Sequence, residues 1–419
     1  MQLDVINTAY YEPVWSRKNG EFSLARRDAL IYTVLNSDTG ETKLIIQPQP
    51  EYTFYRTKSS NYTYPKIAIS RDEVIELKTP YYLRKFNFAK AIGKDNEYRK
   101  MKSENWMEFR DWYEKNIINS PFLYEIDLSI ENQFKLDFAR KHPKGDKLRL
   151  KKAFADIEVD IEGTDGEVSP DNPIAPVNCI TFFDEPHMAL HAFLLNNQPD
   201  NSKMQMIRAD PDRYVREKLK SKLPDIDYKI IEIQFYENEE KLLMDFFNLT
   251  HKYKPDFVGY WYMPFDIRYM FNRMTKLKMN IEKVCCHPDV PDEFKRIDYY
   301  VDPKRNAKGN KKSGAESEQL DWVCIAGYTQ HIDMRAVYSL LRRRYKEDDY
   351  SLENISTKTI GEGKVPLTNF GLTIRTACRE NYEIFLEYAL TDTIRLYQME
   401  KKLKDMNFWY LNAGSTSLR

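Results

Sequence analysis

The amino-acid sequence predicts an α/β domain over roughly its last two thirds, preceded by a smaller mixed α+β module. From residue 151 onward, apolar runs of strand length alternate with stretches of helical spacing. Residues 1–148 lean towards strands, and the basic stretch 140–149 separates the two regions as a linker would. With 42% hydrophobic residues in 419, the chain can bury a core in each region.

Composition and charge narrow the class of protein. The 64 basic residues balance the 64 acidic ones, so bulk charge neither indicates nor excludes nucleic-acid binding. The 5 cysteines form no CxxC pair and no disulfide framework, which is typical of a reducing cytosol. The sequence starts without a signal-peptide pattern, and no apolar run reaches the ~18 residues of a membrane helix. We therefore expect a soluble, cytoplasmic protein that spans no membrane.

The first module is predicted to contain a hairpin and at least one amphipathic helix. Residues 29–35 and 42–46 have the pattern of two strands around a tight turn. Residues 103–116 have helical spacing, and Ser103 is a plausible N-cap. The aromatic face of this helix is more typical of a core than of a nucleic-acid surface. No catalytic constellation is evident in this module.

The most informative segment is the predicted strand 154–162. Side chains of a strand alternate between its two faces, so four carboxylates share one face: Asp156, Glu158, Asp160 and Glu162. Like charges at this separation repel each other, and a hard divalent cation such as Mg²⁺ or Mn²⁺ would relieve the repulsion. The alternative is a solvated acidic face, which is the commoner use of an isolated acid-x-acid pattern.

Two further acidic positions follow along the chain. Asp266 comes after the predicted strand 256–262, at a strand-to-helix corner where parallel strands usually present chemistry. It could equally be a helix-capping or first-turn aspartate. Tyr388 and Asp392 are i, i+4 neighbours on a long helix predicted over 379–406, so both can point to one place. The alternative is a core tyrosine beside a surface aspartate.

Residues 297–301 and 320–325 read as two strands joined by a long polar loop, and we interpret the region as an extended hairpin. The loop carries cationic residues that could touch phosphates, although loops of this composition are usually only solvated. The basic residues considered for DNA contact are Lys304, Arg305 and Lys308.

Taken in chain order, the three acidic segments resemble the three exonuclease motifs of family B DNA polymerases, most closely those of tailed-phage replicative enzymes. The segments concerned are 154–159 for the first motif, 259–273 for the second, and Tyr388-x-x-x-Asp392 for the third. The segment before the third motif is also similar, through 331–338, which is predicted to enter a helix, and 350–353. The similarity is close over about 150–400 and loose over 1–148.

The resemblance implies a domain organisation. It predicts an N-terminal polymerase-associated domain at 1–148 and a ribonuclease H-like exonuclease domain, with a mixed sheet flanked by helices, at 149–405. The extended hairpin 297–325 would lie within the second domain, and 406–419 would be a C-terminal tail.

The resemblance also implies a chemistry, a 3′→5′ DNA exonuclease of the DEDDy type that proofreads during replication. Asp156, Glu158 and Asp392 would hold two divalent ions, Mg²⁺ or Mn²⁺, and Asp266 would help directly or through water. Tyr388 would orient the attacking water. The substrate would be a single-stranded or frayed 3′ end of DNA.

Two departures from the family pattern qualify this expectation. The second motif usually has an asparagine five positions before its aspartate, where this chain has Trp261. Trp261 and Phe265 remain candidates for stacking on terminal bases. The palm motifs are absent from the sequence, so polymerisation is expected on a missing or separate chain. That chain would be a partner and could recruit a sliding clamp, in the cytoplasm of an infected bacterial host if the protein is phage-encoded.

Two other functions stay open at this point. One is a catalytically silent module that binds DNA or docks a polymerase subunit, against which the presence of all four acids and the tyrosine argues. The other is a stand-alone repair exonuclease, and a neighbouring reading frame with a palm domain would exclude it.

Overall fold

The computed structural model describes residues 3–18, 21–58, 70–142, 150–161, 164, 168–302 and 320–416. The chain forms two compact units, Met1–Lys147 and Leu148–Arg419, which are described separately. Within the described ranges, none of the helices combines the length and apolar character needed to cross a bilayer.

The described residues of the first unit form three antiparallel sheets. Its strands are β1 (Leu3–Tyr11), β2 (Val14–Lys18), β3 (Glu21–Arg26), β4 (Ala29–Asn36), β5 (Glu41–Pro48), β6 (Glu51–Thr57), β7 (Val74–Pro80) and β8 (Leu123–Tyr124). They pair in the orders β1-β4-β5, β7-β6-β8 and β2-β3. The predicted hairpin is confirmed, because β4 and β5 pair antiparallel on either side of a turn. Gly40 closes that turn with a positive φ of 75°, a conformation in which glycine has no steric cost.

Four α-helices in the described part of this unit pack on these sheets and bury an aromatic core. They are α1 (Arg84–Ala91), α2 (Asp95–Lys102), α3 (Trp106–Tyr113) and α4 (Ile130–Lys141). The helix predicted from Ser103 begins later, because Ser103 ends α2 and Asn105 caps α3 by accepting a hydrogen bond from the Met107 amide at 2.9 Å. The predicted core role of the α3 aromatics is confirmed for Phe109 and Tyr113, which are buried, but not for the exposed Trp106.

The second unit is built on a six-stranded mixed sheet. The strands of this unit are β9 (Lys152–Val159), β10 (Val177–Asp184), β11 (Ala189–Leu195), β12 (Ile230–Tyr236), β13 (Phe257–Tyr260), β14 (Ile297–Tyr300), β15 (Trp322–Ile325) and β16 (Gln330–Asp333). Of these, β14 and β15 pair with each other and not with the six-stranded sheet. The sheet order is β12-β11-β10-β9-β13-β16. Strand β10 is antiparallel to both neighbours, whereas the other pairs in the sheet are parallel. The predicted α/β class with a mixed sheet is therefore confirmed.

Ten helices of the described ranges flank this sheet or follow it. They are α5 (Ser202–Ala209), α6 (Pro211–Tyr214), α7 (Glu239–Tyr253), α8 (Met263–Lys276), α9 (Ile281–Cys285), α10 (Met334–Leu341), α11 (Leu352–Ile360), α12 (Ile374–Glu380), α13 (Tyr382–Leu403) and α14 (Asp405–Thr416). Helix α7 illustrates why they form. Asn238 caps it by accepting from the Lys241 amide, and its apolar stripe is fully buried.

Two predicted helix boundaries of this unit were wrong. His331–Asp333 belongs to the edge strand β16, which pairs in parallel with β13, and the helix starts only at Met334. The long helix predicted over 379–406 is divided by Asn381, which caps α13, and by Lys404, whose φ of 57° ends it. Both differences arise where strand pairing or a cap, rather than periodicity, decides the boundary.

The hairpin predicted at 297–325 is present as the antiparallel pair β14–β15, in register from Ile297↔Ile325 to Tyr300↔Trp322. Its loop 303–319, with Lys304, Arg305 and Lys308, lies outside the described residues.

Candidate active site

Strand β9 lies inside the sheet and brings two carboxylates under a helix. Its first half is fully buried at Ala153, Phe154 and Ala155. Alternation puts Asp156 and Glu158 on the face of Phe154, whose ring packs edge-on against Tyr397 of α13. Asp156 and Glu158 are thus half-buried beneath α13, not openly solvated as in the alternative interpretation. The strand predicted to reach 162 ends at Val159, so Asp160 follows it, and Glu162 lies outside the described residues.

Helix α13 supplies the third carboxylate. Asp392 is 1% exposed, so it is not the surface aspartate considered from the sequence. Next to Asp392, a hydrogen bond joins the helix to the sheet: the hydroxyls of Thr393 and Thr181 are 2.5 Å apart. Thr181 lies on β10 directly opposite Asp156. These contacts fix the helix over the two carboxylates of β9.

Asp156, Glu158 and Asp392 form what we call the acidic cluster. One carboxylate oxygen from each lies within 4.8 Å of the others. The Oδ1 atom of Asp392 is buried and has no hydrogen-bond partner among the described residues. An orphaned buried carboxylate oxygen is costly, and hard divalent cations bind such oxygens. The donor set therefore fits a Mg²⁺ or Mn²⁺ ion.

Asp266 lies next to this cluster, in the first turn of α8 directly after β13. It does not cap the helix, since Tyr262 occupies the N-cap position, and it is 4% exposed. Burial raises the pKa of Asp266 well above its usual range, and the charges of Asp156 and Asp333 raise it further. Asp266 is thus close enough for the charge of Asp156 to raise its pKa, although Asp266 is not one of the three residues of the acidic cluster.

A lysine that the sequence reasoning missed lies at the centre of the site. The Lys364 Nζ donates a hydrogen bond to the Tyr388 hydroxyl at 2.8 Å and forms an ion pair with Asp392 Oδ2. Although burial alone lowers its pKa, the charges of Asp392, Tyr388 and Asp156 raise the pKa of Lys364 above the ordinary value. The ammonium therefore stays charged and partly offsets the acidic cluster.

The loop that carries Lys364 is held at two points. The Lys364 amide donates to Glu353 Oε2 of α11 at 2.5 Å, and Arg395 Nε of α13 donates to the Gly363 carbonyl at 3.0 Å. A Cβ at Gly363 would collide with the carboxylate of the exposed Glu353 side chain, so a larger residue there would have to displace that carboxylate from the Lys364 amide. The loop therefore presents Lys364 in a fixed position.

The acidic cluster has more negative than positive charge, since three carboxylates face one lysine. Burial and the charge of Asp392 raise the pKa of Asp156 to about 7, and Lys364 opposes the shift. Burial and Asp156 raise the pKa of Glu158, and burial raises that of Asp392. Burial, together with Asp392 and Glu158, raises the pKa of the Tyr388 phenol, so Tyr388 is neutral and can donate a hydrogen bond.

The residues considered for base stacking differ in accessibility. Trp261 is only 8% exposed, and its Nε1 donates to the Tyr350 carbonyl at 3.0 Å. The indole is thus mostly covered in this structure, which disfavours the expected stacking of a base on Trp261. Phe265 is half-buried and stacks on Tyr269 with ring centroids 5.4 Å apart.

A model of the exonuclease domain of DNA polymerase family B matches residues 99–355. The matched range contains Asp156, Glu158 and Asp266, whereas Tyr388 and Asp392 lie beyond it.

Three viral relatives are similar to parts of the chain. The DNA-directed DNA polymerase of Escherichia phage RB69 is 24% identical over 257 residues, which cover 60% of this chain and 26% of the relative. The putative DNA polymerase 060R of Frog virus 3 is 25% identical over 41% of the chain and 16% of its own length. The DNA polymerase 120R of Invertebrate iridescent virus 3 is 26% identical over 42% of the chain and 15% of its own length. The chain thus matches about a quarter or less of each relative.

The family match covers more than half of the 419 residues and includes the strand and the helix corner that carry three of the acids. This chain therefore belongs to the DNA polymerase family B exonuclease-domain family.

Proposed function

We propose that this chain carries a 3′→5′ DNA exonuclease of the DEDDy type that removes nucleoside 5′-monophosphates from the 3′ end of DNA. The observation that carries the proposal is the convergence of the acidic cluster with Lys364 and Tyr388 on one half-buried site. The family membership supports the same reaction class.

The sheet supports a ribonuclease H-like fold for residues 149–405. Strands β9, β10 and β11 form an antiparallel meander, and β13 and β16 continue the sheet in parallel on the other side of β9. The acids lie on the central strand β9 and at the end of its parallel neighbour β13, which is where open α/β sheets bind ligands.

Asp156, Glu158 and Asp392 would hold two divalent ions, Mg²⁺ or Mn²⁺, with Asp266 helping directly or through water. When bound, the ions supply an activated water and stabilise charge on the departing 3′ oxygen. The neutral Tyr388 hydroxyl would donate a hydrogen bond that orients the attacking water. Lys364 would keep Tyr388 and Asp392 in place, because its Nζ binds both.

The biological setting is proposed from the family. The substrate would be the single-stranded or frayed 3′ end at a replication fork, and the activity would be proofreading. Residues 1–148 would be the polymerase-associated domain and 406–419 a C-terminal tail. A polymerase chain would be a partner, and a sliding clamp could act through it. Within this setting Phe265 is the aromatic residue proposed to contact a terminal base.

Digestion of a 5′-labelled single-stranded oligonucleotide tests the proposal. With Mg²⁺ or Mn²⁺ we expect a ladder that shortens from the 3′ end, and EDTA or the Asp156→Ala/Glu158→Ala double variant should abolish it. Asp160→Asn is the matched control, because Asp160 follows β9 but is bound by Arg379 and Asn197. A chain that binds DNA without shortening it would instead be a silent docking module.

A further inference from the structure

A buried charge pair lies on β9 away from the acidic cluster. Lys152 Nζ is 3.0 Å from Glu400 Oε1 of α13, and the two side chains are 7% and 1% exposed. Glu185 approaches the same Nζ at 3.5 Å. The second oxygen of Glu400 accepts a hydrogen bond from the Met406 amide in α14 at 3.1 Å. Buried ion pairs seldom stabilise a fold more than apolar contacts would, so stability alone does not account for this one.

The pair is one of three pairs of residues through which α13 packs on one face of β9. Residues 152, 154 and 156 of the strand share that face. From one end to the other, the facing pairs are Lys152 with Glu400, Phe154 with Tyr397, and Asp156 with Asp392. The order shows that α13 runs antiparallel to β9.

The spacing of the outer pairs is the same on both elements. Four residues of strand span about 13 Å, and eight residues of helix span about 12 Å. A slip of one helical turn would displace Asp392 by about 5.4 Å. That displacement would bring either Leu396 or Lys404 to Lys152 and leave the buried ammonium with only its longer contact to Glu185, which is unfavourable.

We propose that Lys152 and Glu400 lock the register of α13 on β9 and thereby position Asp392 against Asp156 and Glu158. They are positioning residues, because the pair lies about 12 Å along the helix from the acidic cluster. The consequence for catalysis rests on the proposed exonuclease function, whereas the register itself does not. Through Met406, the lock also fixes the start of α14 to the same carboxylate.

Two measurements on the full chain test the lock: Mn²⁺ affinity by electron paramagnetic resonance, and hydrogen–deuterium exchange of the segment 386–394. Glu400→Gln removes the charge but keeps an oxygen for the Met406 amide. We expect about tenfold weaker Mn²⁺ binding, the lower end of the effect of removing a supporting partner of a metal ligand, and faster exchange of the segment.

Glu239→Gln is the matched control, since it breaks another buried pair of the same unit, that with Arg273. It should lower the melting temperature while leaving Mn²⁺ affinity and exchange of 386–394 unchanged. The proposal is overturned if Glu400→Gln lowers the melting temperature but changes neither readout.

A second variant separates positioning from stability. Lys152→Met/Glu400→Leu should regain thermal stability through apolar contacts, yet bind Mn²⁺ as weakly as Glu400→Gln. Recovery of both properties together would refute the lock. If the unmodified chain binds no Mn²⁺, the proposed metal site fails, and the exchange of 386–394 alone decides the register.

Discussion

The acidic cluster and the Arg273–Glu239 pair are both buried charges of the second unit, but they differ in how their polar atoms are satisfied. Arg273 donates to both oxygens of Glu239 and to the carbonyls of Pro173 and Ile174, and Glu239 also accepts from the Val177 amide. The acidic cluster instead gathers three carboxylates around one lysine and leaves Asp392 Oδ1 unpaired among the described residues.

The difference teaches where function lies in this molecule. A satisfied pair holds α7 to α8 and is complete without a ligand. An excess of negative charge in a half-buried site costs free energy and is retained where a cation can offset it. Removing a charge should therefore have opposite consequences at the two places.

The largest expected effect comes from Glu158→Gln. Losing one carboxylate that would hold a divalent ion should lower single-turnover exonuclease activity by about 10²–10³-fold, as loss of a transition-state stabilising group does. In EDTA the same variant should melt at the same temperature as the unmodified chain or higher, because it removes repulsion and no ion pair. A variant that melts markedly lower in EDTA would contradict the excess of charge.

Glu239→Gln should behave in the reverse way. Arg273 would lose its charged partner and keep one side-chain oxygen as an acceptor, so the free energy of unfolding should fall by about 3 kcal/mol. The exonuclease rate should stay within about twofold at a temperature well below the transition, since the hydrogen bonds of this pair go to each other and to the segment 173–177. Chemical denaturation measures the first quantity and oligonucleotide digestion the second. A large loss of rate with intact folding would show that the two charge groups are coupled.

Lys364→Met should change the pH dependence of the exonuclease rate. Lys364 lowers the pKa values of Asp156, Glu158 and Asp392, so its removal raises them and protonates the ligands at neutral pH. Metal ligands must be deprotonated, so the acidic limb of the pH–rate profile should move to higher pH. A shift of about one unit would cost about tenfold in rate at low pH. Lys364→Arg, which keeps the charge, should show a smaller shift, and an unmoved limb in the methionine variant would exclude this role.

The sequence predicted the acids of β9 because their alternation is visible over a few residues, and it predicted Asp266 and Tyr388–Asp392 from local strand and helix patterns together with the family resemblance. Lys364 was missed because it lies in a short loop without periodicity, and its contact with Asp392 joins residues 28 positions apart. Strand β16 was missed for a similar reason. Its four residues become a strand only through pairing with β13.

The burial of Trp261 could not be anticipated either. An aromatic residue next to a predicted site is equally consistent with a base contact and with core packing. Only the fold decides, by bringing the Tyr350 carbonyl to the indole N–H. Segments whose role depends on a distant partner are therefore the ones that sequence patterns leave open.

The smallest expected effect is a dependence of thermal stability on pH, which bound metal should weaken. Burial and Asp392 raise the pKa of Asp156 from 3.8 to about 7, and the pKa values of Glu158 and Asp266 also rise. The folded chain then binds more protons than the unfolded chain, so stability is lost as pH rises from about 4 through 7.

In EDTA the melting temperature should fall by a few degrees between pH 6 and pH 8, at about 2–4 °C per kcal/mol. Saturating Mg²⁺ should reduce this fall, and in Glu158→Gln the fall should already be smaller without metal. A melting temperature in EDTA that rises over this range would contradict the shifted carboxylates, because ordinary paired acids contribute stability that is retained at high pH.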